Sequence, residues 1–142
     1  MPFDLERFVD AQAGTYEQAL AELRESRKRG HWIWFIFPQL RGLGRSEVSR
    51  FYAIDSLDEA RAYLAHAELG PRLRSAAQAV LDSGETDPEA MVGQVDAVKL
   101  RSSMTLFARA APTDRVFGEV LDRLYGGSRD EATDRLLGTP RR

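Results

Sequence analysis

Apolar residues recur three and four positions apart along most of this chain, the spacing of helices that bury one face. Tyr16, Ala19, Leu20 and Leu23 follow it after Thr15, whose pairing with Gln18 predicts a capping box and a helix running to about Arg29, before Gly30. Ser56 with Glu59 predicts a second box, opening a helix over Leu57 to His66. Leu73, Ala76, Ala77, Val80 and Leu81 form a stripe behind Pro71, read as a first helical residue. Asp87-Pro88 reads as a cap followed by a first-turn proline. Ala97, Leu100, Met104, Phe107 and Ala111 make the strongest stripe, in a helix over Asp96 to Ala111. Phe117, Val120, Leu121 and Leu124 follow in a helix from Asp114 to Tyr125, stopped by Gly126-Gly127. Ser128 with Glu131 predicts a third box and a last helix to about Leu137, with Gly138 as its stop.

One stretch breaks the pattern. Trp32 to Phe37 is six bulky apolar residues in a row, holding both tryptophans. A lone strand there would leave its backbone groups unpaired. A short buried helix is therefore predicted, ending near Phe37 because Pro38 disfavours the helical region for its predecessor. The expected fold is all-α, a single-domain multihelical bundle of about seven to eight helices with little or no sheet. Its core spans about residues 4–137, and 139–142 read as a loose tail.

Composition narrows the function. The chain has 142 residues, 43% hydrophobic and 30% charged, with a net charge of −2 and no cysteine. Disulfides, thiolate metal sites and cysteine nucleophiles are excluded. With two histidines, no metal site is expected, and no cofactor motif is found. The net charge disfavours nucleic acid as a partner, although Arg27 to Arg29 form a basic turn. An apolar run of six falls far short of the ~20 residues that span a bilayer, and no leader pattern opens the chain, so the cytoplasm is the expected location.

Candidate chemistry gathers in two stretches. Ile33, Phe35, Ile36 and Phe37 read as core, whereas Trp32 and Trp34 each bring an indole N–H and a stacking face. Gln39 follows them. In "GLGRS", Ser46 reads as the cap of a helix starting at Glu47. Its free N–H groups and Arg45 suit an anion; an ordinary capped turn is the plainer reading. His31 reads either as a general base or as a charge closing the preceding helix, and His66 as a cap at the end of its own helix. Asp96 and Lys99 are spaced for an intrahelical ion pair. Ser102, Ser103 and Thr105 add polarity to a helix that must also be central, which points to a cavity.

"YEQALAELRESRKRGHWIWFIFPQLRGLGRSEVSRFYAI", "EARAYLAHAELGPRL", "DAVKLRSSMTLF" and "YGGSRDEAT", in this order, closely resemble a bacterial domain-of-unknown-function family, number 1810 in its series. The resemblance runs from about Phe8 to Leu137, and departs at His66-Ala67, where the family usually reads His-Pro. It implies a compact multihelical domain and no established activity. Some members carry the label calpastatin, a disordered repeat protein; this chain has no repeats, and the label is not carried over. The family's motif residues fall on Lys28, His31, Trp32, Trp34, Pro38, Gln39, Gly42, Gly44 and Ser46, then on Asp96, Lys99, Ser102 and Ser103.

The expectation is a pocket between the aromatic helix and the Asp96 helix, for a planar or anionic small molecule resembling a nucleotide derivative. Trp32 or Trp34 would stack, and Lys28, Gln39, Arg45, Ser46, Lys99, Ser102 and Ser103 would bind. His31 and Asp96 are the acid/base candidates of a metal-independent hydrolase or transferase. The alternative is a non-catalytic module gripping a protein partner with an aromatic patch.

Overall fold

A computed structural model describes residues 3–138 and contains ten α-helices. They are α1 (Glu6–Gln12), α2 (Tyr16–Arg24), α3 (Ile33–Ile36), α4 (Glu47–Phe51), α5 (Leu57–Ala65), α6 (Leu69–Asp82), α7 (Pro88–Val92), α8 (Gln94–Ala110), α9 (Arg115–Tyr125) and α10 (Glu131–Leu137). The fold is all-α, with more helices among the described residues than the expected seven to eight; α1 is the one for which the sequence offered no start signal or stripe. The tail at 139–142 lies outside the described residues. Among those described there is no strand, only one parallel bridge between Leu40 and Ile54. It is closed by Arg41 N–H on Ile54 O and Ile54 N–H on Gln39 O, both 2.8 Å.

The longest helix, α8, sits at the centre. It packs against α3, α5, α7, α9 and α10, and Ser102 to Ala108 are all buried. Phe107 links two aromatic neighbours, Tyr63 of α5 at 5.4 Å and Phe117 of α9 at 5.8 Å between ring centroids. Around them one apolar core runs from Phe8 to Leu124. The predicted stripes supply it, with Leu81 and Ala111 at its partly buried margin.

Helix starts follow local chemistry unevenly. Ser46, Ser56 and Asp87 cap α4, α5 and α7 as expected, with Pro88 in the first turn. In α5 the partner of the box is displaced by one residue: Glu59 Oε1 accepts from Asp55 N–H at 2.7 Å. Thr15 makes no side-chain cap, since its backbone (φ −128°, ψ −25°) is spent on a tight turn from α1. Ser128 is not the cap of α10. Asp130 is, accepting from Thr133 N–H at 3.0 Å and Thr133 Oγ1 at 2.5 Å. Pro71 lies two residues inside α6, whose start is held by His66: Nδ1 accepts from Glu68 N–H at 3.1 Å and Leu69 N–H at 3.2 Å. His66 thus serves the following helix as well as ending its own. At this elbow a Cβ on Gly70 would lie 2.0 Å from Leu64 O, so α5 and α6 meet backbone to backbone.

The helix predicted to reach Arg29 ends at Arg24. Ser26 turns left-handed (φ 58°) and Arg27 N–H reaches back to Glu22 O at 2.9 Å. The reason is the Glu22 side chain, around which the basic turn wraps.

Candidate functional site

Glu22 is buried in α2 and gathers four donors. Oε1 accepts from Arg29 N–H (2.7 Å), Gly30 N–H (3.0 Å) and Trp32 Nε1 (2.9 Å), and Oε2 from Gln18 Nε2 (2.8 Å). Burial pushes its carboxyl up, but the two backbone donors, Gln18 and Trp32 outweigh it and hold the group at about 2. Trp32 is 0% exposed, so its ring has no face left for a ligand. Trp34, the other tryptophan considered for stacking, is half-buried, and its Nε1 has no hydrogen-bond partner among the described residues.

Lys28 is also drawn inward. Its Nζ lies 5.0 Å from the Trp32 ring centroid, donates to Gly30 O, and pairs with Asp96 Oδ2 at 2.8 Å. Its backbone N–H bonds Met91 O at 2.8 Å, fastening the turn to the end of α7. The other oxygen of Asp96, Oδ1, faces Lys99 Nζ at 3.8 Å. The expected Asp96–Lys99 pair is therefore the looser of two. His31, next to this cluster in sequence, is exposed and makes no hydrogen bond among the described residues.

A groove open to solvent, about 600 Å³ in volume, lies between the 39–49 segment and the first turns of α8. Gln39, Leu43, Gly44, Arg45, Ser46 and Ser49 form one side, and Gln94, Val95, Val98 and Lys99 the other. The loop fits tightly against α4: a Cβ on Gly44 would meet Ser49 Cβ at 2.4 Å. Of the sequence-derived candidates, the structure brings Gln39, Arg45, Ser46 and Lys99 together here. Lys28 and Asp96 stand behind Lys99 without lining the groove. His31, Trp32, Trp34, Ser102 and Ser103 are not on its walls.

Ser102 and Ser103 are buried, and they differ. Ser102 Oγ donates back to Val98 O at 3.1 Å, whereas Ser103 Oγ has no partner among the described residues. Sequence reasoning missed Leu43, Ser49, Gln94, Val95 and Val98. The two valines carried a signal: they fall off the buried stripe of α8 and are 69% and 60% exposed.

The groove has a definite electrostatic sign. Arg45 and Lys99 line it with no carboxylate among the described residues, in a chain of net charge −2. Arg45 has no ion-pair partner among those residues, and no side chain caps the start of α8. Such a surface attracts anions and offers amide and hydroxyl groups to orient them. No group of three or more His, Asp or Glu residues among those described is arranged to hold a metal ion. No described helix is long and apolar enough to cross a membrane.

The expected aromatic grip is not where the tryptophans are. Among the described residues, the exposed large apolar side chains are Val48, Phe51, Val95, Val98 and Leu136, with Phe51 the one aromatic.

A family model described as "Protein of unknown function (DUF1810)" matches residues 2–137. The crystal structure of a conserved hypothetical protein from Mycobacterium tuberculosis is 51% identical, superposes with a TM-score of 0.94, and covers 96% of this chain and 98% of its own. No curated protein matches the sequence.

Proposed function

The chain belongs to the DUF1810 family of proteins of unknown function, and on that footing we propose that it binds an anionic small molecule with an apolar or planar body in the groove between residues 39–49 and α8. One observation carries the reading: two cations and four polar side chains share a groove with Leu43, Val95 and Val98, and no carboxylate among the described residues lines it. The anion would lie between Arg45 and Lys99. Its body would cover the two exposed valines, whose exposure otherwise has no compensation. A nucleotide derivative or an organic acid meets this description.

The reading is of binding first. Asp96 is occupied by two ammonium groups, and His31 is off the groove, so neither acid/base candidate reaches a ligand placed there.

A thermal-shift screen of nucleotides, sugar phosphates and organic acids tests it. A ligand at one hundred times its dissociation constant adds about 2.7 kcal/mol of stability. The shift is expected to vanish in Arg45→Ala, whose side chain is exposed, and in Lys99→Met, which keeps the apolar stem of a partly buried side chain. A screen in which no anion stabilises the protein, or a hit untouched by both substitutions, would overturn the proposal and favour the protein-binding module. That module would use Val95 and Val98 rather than a tryptophan.

A further inference from the structure

Asp96 is the hinge between the groove and the buried basic turn. Its two oxygens face two ammonium groups, one held at 2.8 Å and the other at 3.8 Å. Lys28 is fixed: its side chain is 7% exposed, its Nζ sits over Trp32 and donates to Gly30 O, and its backbone is tied to Met91. The ring beneath it is in turn held by Glu22. Lys99, whose side chain is 19% exposed, has the 3.8 Å contact to Asp96 Oδ1 as its one ion pair among the described residues, and it lines the groove.

A groove anion and the Asp96 carboxylate therefore compete for the same loosely paired cation. We infer that Asp96 and Lys28 are positioning residues of the groove, resting on the anion-binding reading above. Asp96 is the built-in competitor for Lys99, and Lys28 sets its strength by taking up most of the carboxylate's charge. When an anion arrives, Lys99 leaves Asp96 for the ligand, and Lys28 keeps the abandoned carboxylate neutralised. Without Lys28 that carboxylate would be left half-buried and unpaired, and Lys99 would be held back.

The signs of the effects follow. Asp96→Asn removes the competitor and tightens anion binding. Lys28→Met, which keeps an apolar stem over Trp32, leaves Asp96 to Lys99 alone and weakens it. On the Asp96→Asn background, Lys28→Met has nothing left to act through. A uniform change in local charge would give the same two signs but equal effects of Lys28→Met in both backgrounds, and a purely structural role would weaken binding in both single variants.

The experiment is a titration of the full chain with inorganic phosphate, followed on the Lys99 side-chain NMR signal in wild type, both single variants and the double variant. The expected result is half-saturation about threefold lower in Asp96→Asn, about threefold higher in Lys28→Met, and a Lys28→Met effect that disappears in the double variant. Half-saturation equal in all four proteins, or a Lys28→Met effect of the same size in both backgrounds, overturns the positioning role while leaving the groove's reading intact. A Lys99 signal that phosphate moves in neither wild type nor Asp96→Asn sinks the anion reading, and the positioning role with it. Should Lys28→Met fail to fold, Asp96→Asn alone still decides: binding that is unchanged or weaker overturns the proposal.

Discussion

Glu22 shows what a single side chain can organise. Its carboxylate stops α2, bends the basic turn, and fixes Trp32 as a buried post for Lys28. Because its folded carboxyl is depressed from 4.5 to about 2, its contribution to stability is complete above pH ~4.5 and is lost as pH falls toward 2. Glu22→Gln keeps the shape but replaces one acceptor oxygen by a donor and removes the charge. Acid titration of unfolding free energy should show wild type losing stability over that window, with the variant lower at neutral pH and flatter below pH 4.5. Equal slopes would mean that Glu22 is not the group responsible. None of this was legible beforehand, because Glu22 reads as an ordinary polar position in an amphipathic helix. Its partners are three backbone or indole donors and one neighbouring amide, which carry no charge pattern.

At the scale of elements, helices whose starting residue also adopts an extended backbone were readable. Ser46, Ser56 and Asp87 are examples; the stop of α9 was readable for a different reason, the left-handed backbone of Gly126 (φ 62°). Thr15 and Ser128 carry the same lettering but lie in turns set by the preceding helix: Thr15 stands at the start of α2 without making the cap bond, and Ser128 falls two residues before Asp130, the actual cap of α10. The α5–α6 elbow is another case where tertiary geometry decides. Gly70 lies in a helix, where alanine ordinarily gains about 1 kcal/mol. Here a methyl group would overlap the Leu64 carbonyl, and Gly70→Ala should instead cost at least about 2 kcal/mol, read from denaturant midpoints at constant m-value. A stabilised variant would show that the elbow opens freely. The two sides of the groove belong to this scale too. Ser46 was legible as a cap and Lys99 as a polar residue on a central helix, but their meeting depends on how α4 and α8 pack.

For the molecule as a whole, one core threads the packed helices, with α8 touching five of them. Heat should therefore unfold the protein in a single transition, with calorimetric and van 't Hoff enthalpies equal; two resolved peaks would divide the core. Charge is distributed less evenly than the small net value suggests. The groove beside α8 is cationic, whereas the cleft lined by α6 and α9 carries Asp82, Glu119 and Asp122 with Arg123 as its one cation among the described residues. The count of charges was plain in the sequence; their segregation was not, since Arg45 and Lys99 are 54 residues apart along the chain. The contrast between the two indoles reaches beyond stability. One is sealed among aliphatic and aromatic neighbours with its N–H on a carboxylate, and the other is partly exposed, with its N–H buried and unclaimed among the described residues. The ultraviolet emission of the folded protein is thus a sum of two colours, a blue component from Trp32 and a redder one from Trp34. A quencher dissolved in water meets the redder indole first and leaves the blue one lit.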